Sequence, residues 1–406
     1  MHDVIIVGAR CGGASTAMLL ARRGFKVLLL DRSSFPSDIP HGHVIHREGP
    51  RLLKQWGLLD RILASNCPPL TNHLTDFGDF PLAASDVAVD GFAYGYAPRR
   101  KVLDQILVEA AVGAGADFRE RVLVEGLLTE DSTVCGVRAK DTRSGAINEE
   151  RAGIVIGADG RNSRIANWVG ATAYESDPPA TCWYFSYWTD MPCEGIEIYL
   201  RRDRIFLAVA TNDALCNVAV AFPVEMFEQV RGNIETHFNE ALALVPQLEE
   251  RVRRARRVER FSGTADLPNF YRKPYGPGWA LVGDAGCHKD PALALGISDA
   301  FRDAELLASA IGDSFAGKQS FAAAMSNYEA CRNQAGMDVY KENLHFAQFK
   351  PVPEQVLRLR AAIRGDAEAT RKFLMARDGM IPPENFFNPE NIARLFANSK
   401  TPSPSG

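Results

Sequence analysis

The N-terminal segment restricts the fold more than any other part of the sequence. The aliphatic run at 4–7 leads into Gly8, Gly12 and Gly13, then into a helical segment, and a second aliphatic run follows at 27–30. Short runs of this kind are typical of buried parallel strands, and strand, helix and strand in this order form a βαβ unit. Glycines in the first turn of the unit allow the backbone to approach a pyrophosphate. The segment therefore predicts a turn that binds the phosphates of a dinucleotide.

Arg10 departs from the usual glycine pattern of such turns, because it stands where a second glycine is expected. Its side chain excludes the most open backbone geometry but adds a fixed positive charge beside the phosphates. The N–H groups at the helix N-terminus favour the same anion. Asp31 ends the second strand, where an acid is suited to bind ribose hydroxyls. The alternative is a chance glycine pattern in an α/β protein, with Asp31 as a surface acid.

The composition of the 406 residues is that of an ordinary globular protein, with 46% apolar and 24% charged residues. The length predicts two or three structural units. A net charge of −4 gives no reason to expect nucleic acid or an anionic membrane as a partner. The basic run at 251–260 is interpreted as a solvated helix face. No apolar stretch is long enough to cross a bilayer, so we expect no stable membrane insertion.

The eight cysteines are scattered, without a C-x-x-C pair or a cluster of metal ligands, so no metal site is predicted. A chain of this length without a signal peptide indicates reduced thiols and a cytoplasmic location. We expect a monomer or homodimer whose partner is a small-molecule substrate.

The sequence changes character near residue 176. Four strand-like segments rich in aromatic residues follow between 181 and 223, which predicts an antiparallel sheet. A helix is predicted at about 224–245, and further helices from 297 nearly to the end of the chain. An α/β part is thus followed by a sheet and then by helices.

Two more buried strands end in paired Asp and Gly residues, Asp159–Gly160 and Gly283–Asp284, and the second pair is followed by a proline and by a glycine that begins a helix. Together with the glycine turn and RRKVLD at 99–104, these motifs resemble those of the flavoprotein monooxygenases of the para-hydroxybenzoate hydroxylase type. The sequence is more similar still to actinobacterial NAD(P)/FAD-dependent oxidoreductases, which are related to the geranylgeranyl reductase family. The resemblance covers about residues 3–310 and implies FAD as the cofactor.

The resemblance implies an α/β fold with a Rossmann-like FAD-binding domain, an interleaved antiparallel β-sheet substrate domain and a C-terminal helical region. The expected boundaries are 1–70, 96–175 and 268–310 for the FAD-binding domain, 71–95 and 176–267 for the substrate domain, and 311–400 for the helical region. Segments far apart along the chain would then meet at one cofactor.

The resemblance also implies a role in FAD binding for residues of each motif. Arg10 and the neighbouring glycines would surround the pyrophosphate, which Asp159 would support. Arg100 would reach the ribityl–phosphate portion, with Arg99 as the alternative. The implied FAD-binding residues are Gly8, Arg10, Gly12, Gly13, Asp31, Arg32, Arg100, Val124, Asp159, Gly160, Gly283, Asp284, Gly296 and Ile297. The alternative for each acid and arginine is a surface ion pair.

The flavin end of the cofactor is assigned in the same way. Asp284 would accept hydrogen bonds from the ribityl hydroxyls. The backbone N–H groups of Gly296 and Ile297 would face the pyrimidine edge, which becomes anionic on reduction, so a helix N-terminus stabilises the reduced form. Relatives have a glutamine where this chain has Leu295, which removes one polar group near the flavin.

The implied activity is that of an NADPH- or NADH-dependent monooxygenase of secondary metabolism. It would hydroxylate or epoxidise an aromatic or polyketide-like small molecule through a flavin hydroperoxide, in a pocket that excludes water. The aromatic strands are suited to cover such a pocket, although strand alternation lets only about half of their side chains face it. The expected substrate-binding residues are Tyr184, Tyr187, Trp188, Phe206 and Pro291. The alternative is that the aromatic residues only pack the sheet.

Three histidines, His41, His43 and His46, lie with Arg47 in the loop that runs near the isoalloxazine ring in the family. A histidine there could act as a general base on a phenol, because its ordinary pKa lies near working pH, or could carry FAD covalently. His288 lies beside the proline that covers the flavin in the family. We therefore consider His43, His46, Arg47 and His288 as candidate catalytic residues, with structural hydrogen bonding as the alternative.

Two other functions remain open from the sequence. A flavin-dependent reductase or dehydrogenase of the geranylgeranyl reductase kind would share the FAD motifs and act on a C=C bond. A carrier protein would keep the fold and only bind a lipid or a protein, but the presence of both Asp159 and Asp284 disfavours it.

Overall fold

The computed structural model describes residues 1–39 and 43–398. Its strands are β1 (His2–Val7), β2 (Val27–Asp31), β3 (Ile45–His46), β4 (Pro69–Leu70), β5 (Asn72–Asp76), β6 (Pro81–Ala84), β7 (Ala88–Val89), β8 (Phe92–Ala93), β9 (Gly95–Tyr96), β10 (Asp117–Glu120), β11 (Val122–Glu130), β12 (Thr133–Asp141), β13 (Ile147–Gly157), β14 (Ala173–Asp177), β15 (Thr181–Thr189), β16 (Gly195–Arg201), β17 (Arg204–Ala210), β18 (Cys216–Pro223), β19 (Arg256–Arg257), β20 (Ser262–Thr264), β21 (Asn269–Arg272), β22 (Tyr275–Gly276), β23 (Trp279–Leu281) and β24 (Cys287–His288).

Its helices are α1 (Cys11–Arg22), α2 (Gly49–Gln55), α3 (Leu59–Ala64), α4 (Arg100–Gly113), α5 (Arg164–Trp168), α6 (Phe227–Gly232), α7 (Ile234–Leu242), α8 (Pro246–Arg254), α9 (Gly296–Phe315), α10 (Phe321–Ala347), α11 (Glu354–Ile363), α12 (Ala367–Arg377) and α13 (Pro389–Asn398). None of the helices in the described residues is long and apolar enough to cross a membrane.

The first sheet contains a parallel part in the order β10-β2-β1-β13-β23. Val7 lies opposite both Leu30 and Gly157, and Gly157 lies opposite Leu281. Because parallel strands point the same way, β1, β13 and β23 end at the same edge, although more than 270 residues separate the first from the last. The predicted βαβ unit is confirmed, and the turns after these three strands are placed side by side.

Both faces of this parallel part are covered, which explains the unbroken aliphatic runs of its strands. Val4 and Ile6 of β1 pack in a core formed with α1, α4 and α9. Ile5 points to the other face and packs with β11 and β12. These two strands form a hairpin, and β12 continues antiparallel onto the first half of β13.

The second sheet has the order β19-β15-β18-β17-β16-β5-β6, with β20 on β15. The four predicted aromatic strands are β15 to β18, and they pair antiparallel as expected. The single helix predicted at about 224–245 is wrong in one respect, because it is broken into α6 and α7. Asn233 interrupts it and caps α7, where its side chain accepts a hydrogen bond from the N–H of Thr236.

The C-terminal helices divide between the two sheets. α9 and the first half of α10 pack against the parallel sheet, where Phe301 and Tyr328 belong to its core. α11, α12 and α13 form a separate core against Leu82 of β6, around Phe373 and Phe386. The helical region predicted from the sequence is present, and it touches the second sheet as well as the first.

Candidate cofactor and active site

The turn after β1 lies against both the turn after β13 and the turn after β23. Gly8 has a φ of +104°, and a Cβ there would collide with the carbonyl oxygen of Ala158. A Cβ on Gly12 would lie 3.7 Å from the backbone of Gly283. Gly283 itself has a φ of +61°. The three motifs that are distant in sequence therefore form one backbone cradle without side chains at its closest contacts.

A buried carboxylate joins the two arginines predicted at this cradle. Arg10 Nη1 donates to Asp104 Oδ2 at 2.7 Å, and Arg100 Nη2 donates to Asp104 Oδ1 at 2.9 Å. The Asp104 side chain is fully buried. Two guanidinium groups share one carboxylate, which leaves one net positive charge. Sequence reasoning missed Asp104, although its position four residues after Arg100 on a predicted helix is the spacing of a helical ion pair.

The N-terminus of α1 adds to this positive charge. Arg10 is the residue before the helix, and its side chain makes no capping hydrogen bond. The first N–H groups of α1 are therefore not satisfied by that side chain and are suited to an anion. A buried surplus of positive charge beside uncapped N–H groups fits a pyrophosphate.

Asp31 lies where the sequence predicted it, at the end of β2, and it organises the glycine turn. Its carboxylate accepts hydrogen bonds from the N–H of Ala9 at 2.8 Å and of Ser33 at 2.7 Å. Arg32 is exposed, and Val124 is buried. Binding of the ribose by Asp31, and of FAD by Arg32 and Val124, stays a prediction.

The Asp159–Gly160 pair has a structural role in the turn after β13. Asp159 accepts hydrogen bonds from the Ser163 hydroxyl at 2.5 Å and from the N–H groups of Arg164 and Ile165 at 2.8 and 3.2 Å. Burial nevertheless raises the pKa of Asp159. Its carboxylate caps the first N–H groups of α5, and so stabilises the turn after β13 that forms part of the cradle. Its contact with a pyrophosphate stays a prediction.

The Gly283–Asp284 turn lies beside the beginning of α9. A Cβ on Gly296 would be 4.0 Å from Asp284 Oδ1, so this carboxylate lies next to the helix N-terminus. Asp284 is half-buried, whereas Ile297 and Leu295 are buried. Leu295, where a glutamine was expected, packs into the interior. The Asp284 carboxylate and the uncapped N–H groups at the start of α9 thus lie next to each other.

His43 and Tyr187 form a hydrogen-bonded pair beside the second sheet. His43 Nε2 is bonded to the Tyr187 hydroxyl, and His43 Nδ1 is buried without a partner. Burial lowers the pKa of His43 to about 3, with further lowering by the charges of Arg100 and Arg99. The expectation of a histidine with a pKa near neutrality is wrong for His43, because its imidazole is buried and lies near the charges of Arg100 and Arg99. His43 is neutral at ordinary pH, and is suited to hydrogen bonding more than to general base catalysis.

Arg99 and Arg100 are adjacent in sequence but serve different places. Arg100 points to Asp104 and the glycine turn. Arg99 lies 4.0 Å from the centre of the Tyr187 ring and forms ion pairs with Asp38 and Glu259. The structure therefore places Arg100 at the predicted cofactor site and Arg99 next to Tyr187.

His46 is held by the loop before α9. Its Nε2–H group donates to the carbonyl oxygens of Leu293 and Ala294 at 3.1 and 3.2 Å. Burial and the charge of Arg47 lower the pKa of His46 to about 4. Ala294 has a φ of +53°, which is an unfavourable conformation for this residue type. His46 thus stabilises the strained turn that leads into α9.

The remaining catalytic candidates have other neighbours. Arg47 has a φ of +56° and its guanidinium packs against Gly379, after α12. His288 is bonded to the carbonyl oxygen of Pro268. Neither is brought to the His43–Tyr187 pair, and His41 lies outside the described residues.

Pro291 begins a short turn that is tied to the second sheet. The preceding residue, Asp290, accepts hydrogen bonds from the Thr181 hydroxyl at 2.5 Å and from Trp183 Nε1 at 3.3 Å. Asp290 also caps the turn by accepting from the N–H of Ala292. The loop expected to cover the flavin is therefore fixed to β15 by a buried acid that sequence reasoning missed.

Three of the aromatic residues predicted to bind substrate lie on the face of the sheet opposite Tyr187. Tyr184 and Trp188 pack against α6 and α7, with Trp188 stacked on Phe238 at 5.9 Å. Phe206 is fully buried in the same core. Strand alternation separates them from Tyr187, and helices α6 to α8 cover their face. Their aromatic character is explained by packing.

The face of β15 that carries Tyr187 also carries Trp183 and Phe185, and we call this side of the sheet the inner face. Half-buried Phe185 and Leu207 on this face cluster with Ala292 of the predicted flavin loop and with Phe346 of α10. Sequence reasoning missed these residues, although a period of two counted back from Tyr187 would have found Phe185 and Trp183.

Comparison with known proteins identifies the family. Residues 1–343 match the family of FAD binding domains. The chain belongs to this FAD-binding family. It is 27% identical to the digeranylgeranylglycerophospholipid reductase of Methanosarcina mazei over 306 residues, which are 74% of this chain and 72% of that protein.

Two solved structures share the fold of this family member. The myxobacterial chondrochloren halogenase, an FAD-dependent halogenase, superposes with a TM-score of 0.80 at 22% identity, over 99% of this chain and 98% of that one. PqsL of P. aeruginosa, solved with 2-aminobenzoylacetate, gives a TM-score of 0.73 at 20% identity, over 85% and 95% of the two chains.

Family membership makes FAD the cofactor and the protein an FAD-dependent oxidoreductase. The para-hydroxybenzoate hydroxylase type is a finer assignment than this family membership provides. The residues of the cradle suit the cofactor, because glycines meet at the closest backbone contacts and the Arg10–Asp104–Arg100 group carries a surplus positive charge.

Proposed function

We propose that this FAD-dependent oxidoreductase is a monooxygenase that uses NADPH or NADH to hydroxylate or epoxidise an aromatic small molecule. For hydroxylation, the balanced reaction is substrate–H + O₂ + NAD(P)H + H⁺ → substrate–OH + H₂O + NAD(P)⁺. The observation that carries the proposal is the His43–Tyr187 pair at the end of the apolar inner face. Neutral hydrogen-bonding groups beside an apolar wall suit an aromatic ring that carries a hydroxyl group.

The chain's own residues would hold the cofactor at the cradle. Arg10, Arg100 and the N–H groups of α1 would bind the pyrophosphate, and Asp284 would accept hydrogen bonds from ribityl hydroxyls. The N–H groups of Gly296 and Ile297 would face the pyrimidine edge, where a helix N-terminus stabilises negative charge. When bound, FAD supplies the hydride acceptor and the activation of O₂ that side chains cannot provide.

The inner face would position the substrate. Burial raises the pKa of Tyr187, so its hydroxyl stays protonated and can donate a hydrogen bond to a substrate oxygen. For this, neutral His43 is the Nε2–H tautomer, whose N–H donates to the Tyr187 oxygen and leaves the hydroxyl proton free for the substrate. Phe185 and Leu207 would pack against the ring and exclude water, which favours oxygen transfer over loss of reducing equivalents. The aromatic ligand of PqsL supports this class of substrate.

A second candidate is a flavin-dependent reductase that adds two hydrogens to a C=C bond. The likeness to the reductase of Methanosarcina mazei favours it. The apolar part of the inner face would accept an isoprenoid chain as well as a ring. The Tyr187 hydroxyl has no obvious partner on such a chain.

Incorporation of oxygen from labelled dioxygen into the product distinguishes the monooxygenase from the reductase. The FAD-loaded protein is incubated with NADPH or NADH, isotopically labelled dioxygen and parallel sets of phenols, quinones and isoprenoid alcohols, and the products are analysed by mass spectrometry. We expect a phenol that gains one labelled oxygen atom. A product that gains two hydrogens without label would contradict the proposal and establish the reductase.

A further inference from the structure

A second group of buried charges lies beside the N-terminus of α9, apart from the contacts assigned above. Lys289 Nζ is 2.5 Å from Asp299 Oδ2, and Arg302 Nη1 donates to Asp299 Oδ1 at 2.6 Å. The Lys289 side chain is 4% exposed and that of Asp299 is 17% exposed. Asp299 lies in the first turn of α9, which begins at Gly296. A carboxylate therefore stands in the turn whose N–H groups would face the flavin.

The two cations that contact Asp299 are not equivalent. Arg302 also pairs with Asp303 at 2.8 Å and lies 3.9 Å from Glu48, so three carboxylates share its charge. Within residues 1–39 and 43–398, Lys289 forms an ion pair with Asp299 alone. Lys289 thus neutralises Asp299 alone, whereas Arg302 divides its charge among three carboxylates.

Both members of this pair are charged at ordinary pH. Burial lowers the pKa of Lys289, but the charge of Asp299 more than offsets this and leaves the pKa raised. Burial raises the pKa of Asp299, but Lys289 and Arg302 hold it well below its usual range. The cancellation of the two charges therefore does not depend on pH near neutrality.

We propose that the Lys289–Asp299 pair sets the reduction potential of bound FAD, with Lys289 as a positioning residue that cancels the charge of Asp299. The inference rests on the proposed placement of FAD at the N-terminus of α9. Reduction puts negative charge on the pyrimidine edge of a flavin, and the helix N-terminus stabilises that charge. An uncompensated carboxylate in the same turn opposes it, since charges in a buried setting are weakly screened.

The two partners predict opposite shifts. Lys289→Met leaves the carboxylate of Asp299 without its committed cation, so reduced FAD is bound less tightly relative to oxidised FAD. We expect a change of about tenfold in that ratio, which for a two-electron couple corresponds to a potential about 30 mV more negative. Asp299→Asn removes the carboxylate and is expected to shift the potential by about the same amount in the positive direction. The double variant loses both charges and should return close to the wild-type potential.

The measurement is the midpoint potential of the FAD-loaded protein, obtained by equilibration with a reference dye during reduction. The ratio of flavin to protein absorbance and the thermal midpoint establish that each variant is folded and loaded. Lys273→Met is the control, because it removes the same charge from an ion pair of the same length, with Glu329, that is more exposed and lies outside the first turn of α9. Its potential should equal that of the wild type.

Opposite shifts in the single variants, cancelled in the double variant, support the inference. Unchanged potentials, shifts of the same sign in both single variants, or an equal shift in Lys273→Met would overturn it while FAD remains bound. If Lys289→Met does not fold, because Asp299 has lost one of its two cations, the Asp299→Asn and double variants decide. Retention of FAD by Asp284→Ala is a separate result, which would contradict the placement of the cofactor itself.

Discussion

The glycine turn and the inner face of the second sheet both bury polar groups, but they hold them in different charge states. At the turn, Arg10 and Arg100 share the single carboxylate of Asp104, and a positive charge is left over. At the inner face, burial keeps His43 neutral and raises the pKa of Tyr187. A surplus of permanent charge suits a ligand that is always anionic, whereas neutral groups suit a substrate whose hydroxyl must be bound without a large desolvation cost.

The difference also explains why Arg99 and Arg100 point in different directions. Arg100 adds its charge to the glycine turn, where the pyrophosphate is proposed to bind. The guanidinium of Arg99 forms ion pairs with Asp38 and Glu259, and its planar face lies over the Tyr187 ring. Two adjacent residues therefore differ in role: the charge of Arg100 is available to a ligand, whereas that of Arg99 is neutralised by neighbouring carboxylates.

Arg100→Met should have the largest effect on the cofactor side. It removes the surplus charge, because Asp104 then pairs with Arg10 alone. A charged hydrogen bond is worth roughly 1.5–3 kcal/mol, so FAD affinity should fall about ten- to a hundredfold. FAD titration of the apoprotein by flavin fluorescence measures this. Arg201→Met, which breaks the buried pair with Asp76 in the second sheet, is the control and should keep FAD affinity.

Three buried histidines predict a fall in stability with acidification. Burial is the main cause that lowers the pKa of His43 to about 3 and those of His46 and His73 to about 4. The unfolded chain has histidine pKa values near 6.5, so below this pH its histidines bind protons while those of the folded protein stay neutral. The free energy of unfolding should therefore fall between about pH 6.5 and pH 4, by roughly 1.4 kcal/mol per pH unit for each histidine.

Urea unfolding at several pH values tests this sign. His73→Gln should make the slope shallower by roughly 1.4 kcal/mol per pH unit, because one of the three proton uptakes is lost. A slope that does not change would mean that His73 is protonated in the folded protein.

Tyr187→Phe should affect the inner face and leave the cofactor side alone. Loss of the hydroxyl leaves the His43 imidazole buried without a partner, at a cost of roughly 1–2 kcal/mol in the free energy of unfolding. Substrate-stimulated oxidation of NADPH should fall, and FAD affinity should not change. Tyr199→Phe is the control, because its hydroxyl donates to Glu197 at 2.6 Å on the opposite face of the same sheet. Weaker FAD binding in Tyr187→Phe would show that the inner face and the cofactor site do not act independently.

Arg10→Gly should have the smallest effect. Arg10→Gly also removes the surplus charge, but the Arg10 side chain is 23% exposed against 8% for Arg100, so water screens its charge more. The N–H groups of α1 remain at the turn, so FAD affinity should fall only about three- to tenfold, or by roughly 0.7–1.4 kcal/mol. The same fluorescence titration measures it. An unchanged affinity would make the arginine incidental to cofactor binding.

Local patterns in the sequence predicted much of this structure. The βαβ unit and the four aromatic strands of the second sheet are present at the expected places. Strand alternation was also predicted, but the choice of face was not. Tyr184, Trp188 and Phe206 belong to the side that α6 to α8 cover, and no local pattern shows which side of a sheet the helices will cover.

The glycine turn and the order of the motifs, and hence the FAD-binding family, follow from the sequence alone, because aliphatic strands and phosphate turns depend on neighbouring residues. The joining of two arginines by Asp104, and the contact of His43 with Tyr187 across 144 residues of chain, depend on how distant segments pack. The neutrality of His43 has the same origin, because a histidine pKa depends on burial and nearby charges, and those arise only when distant segments pack together.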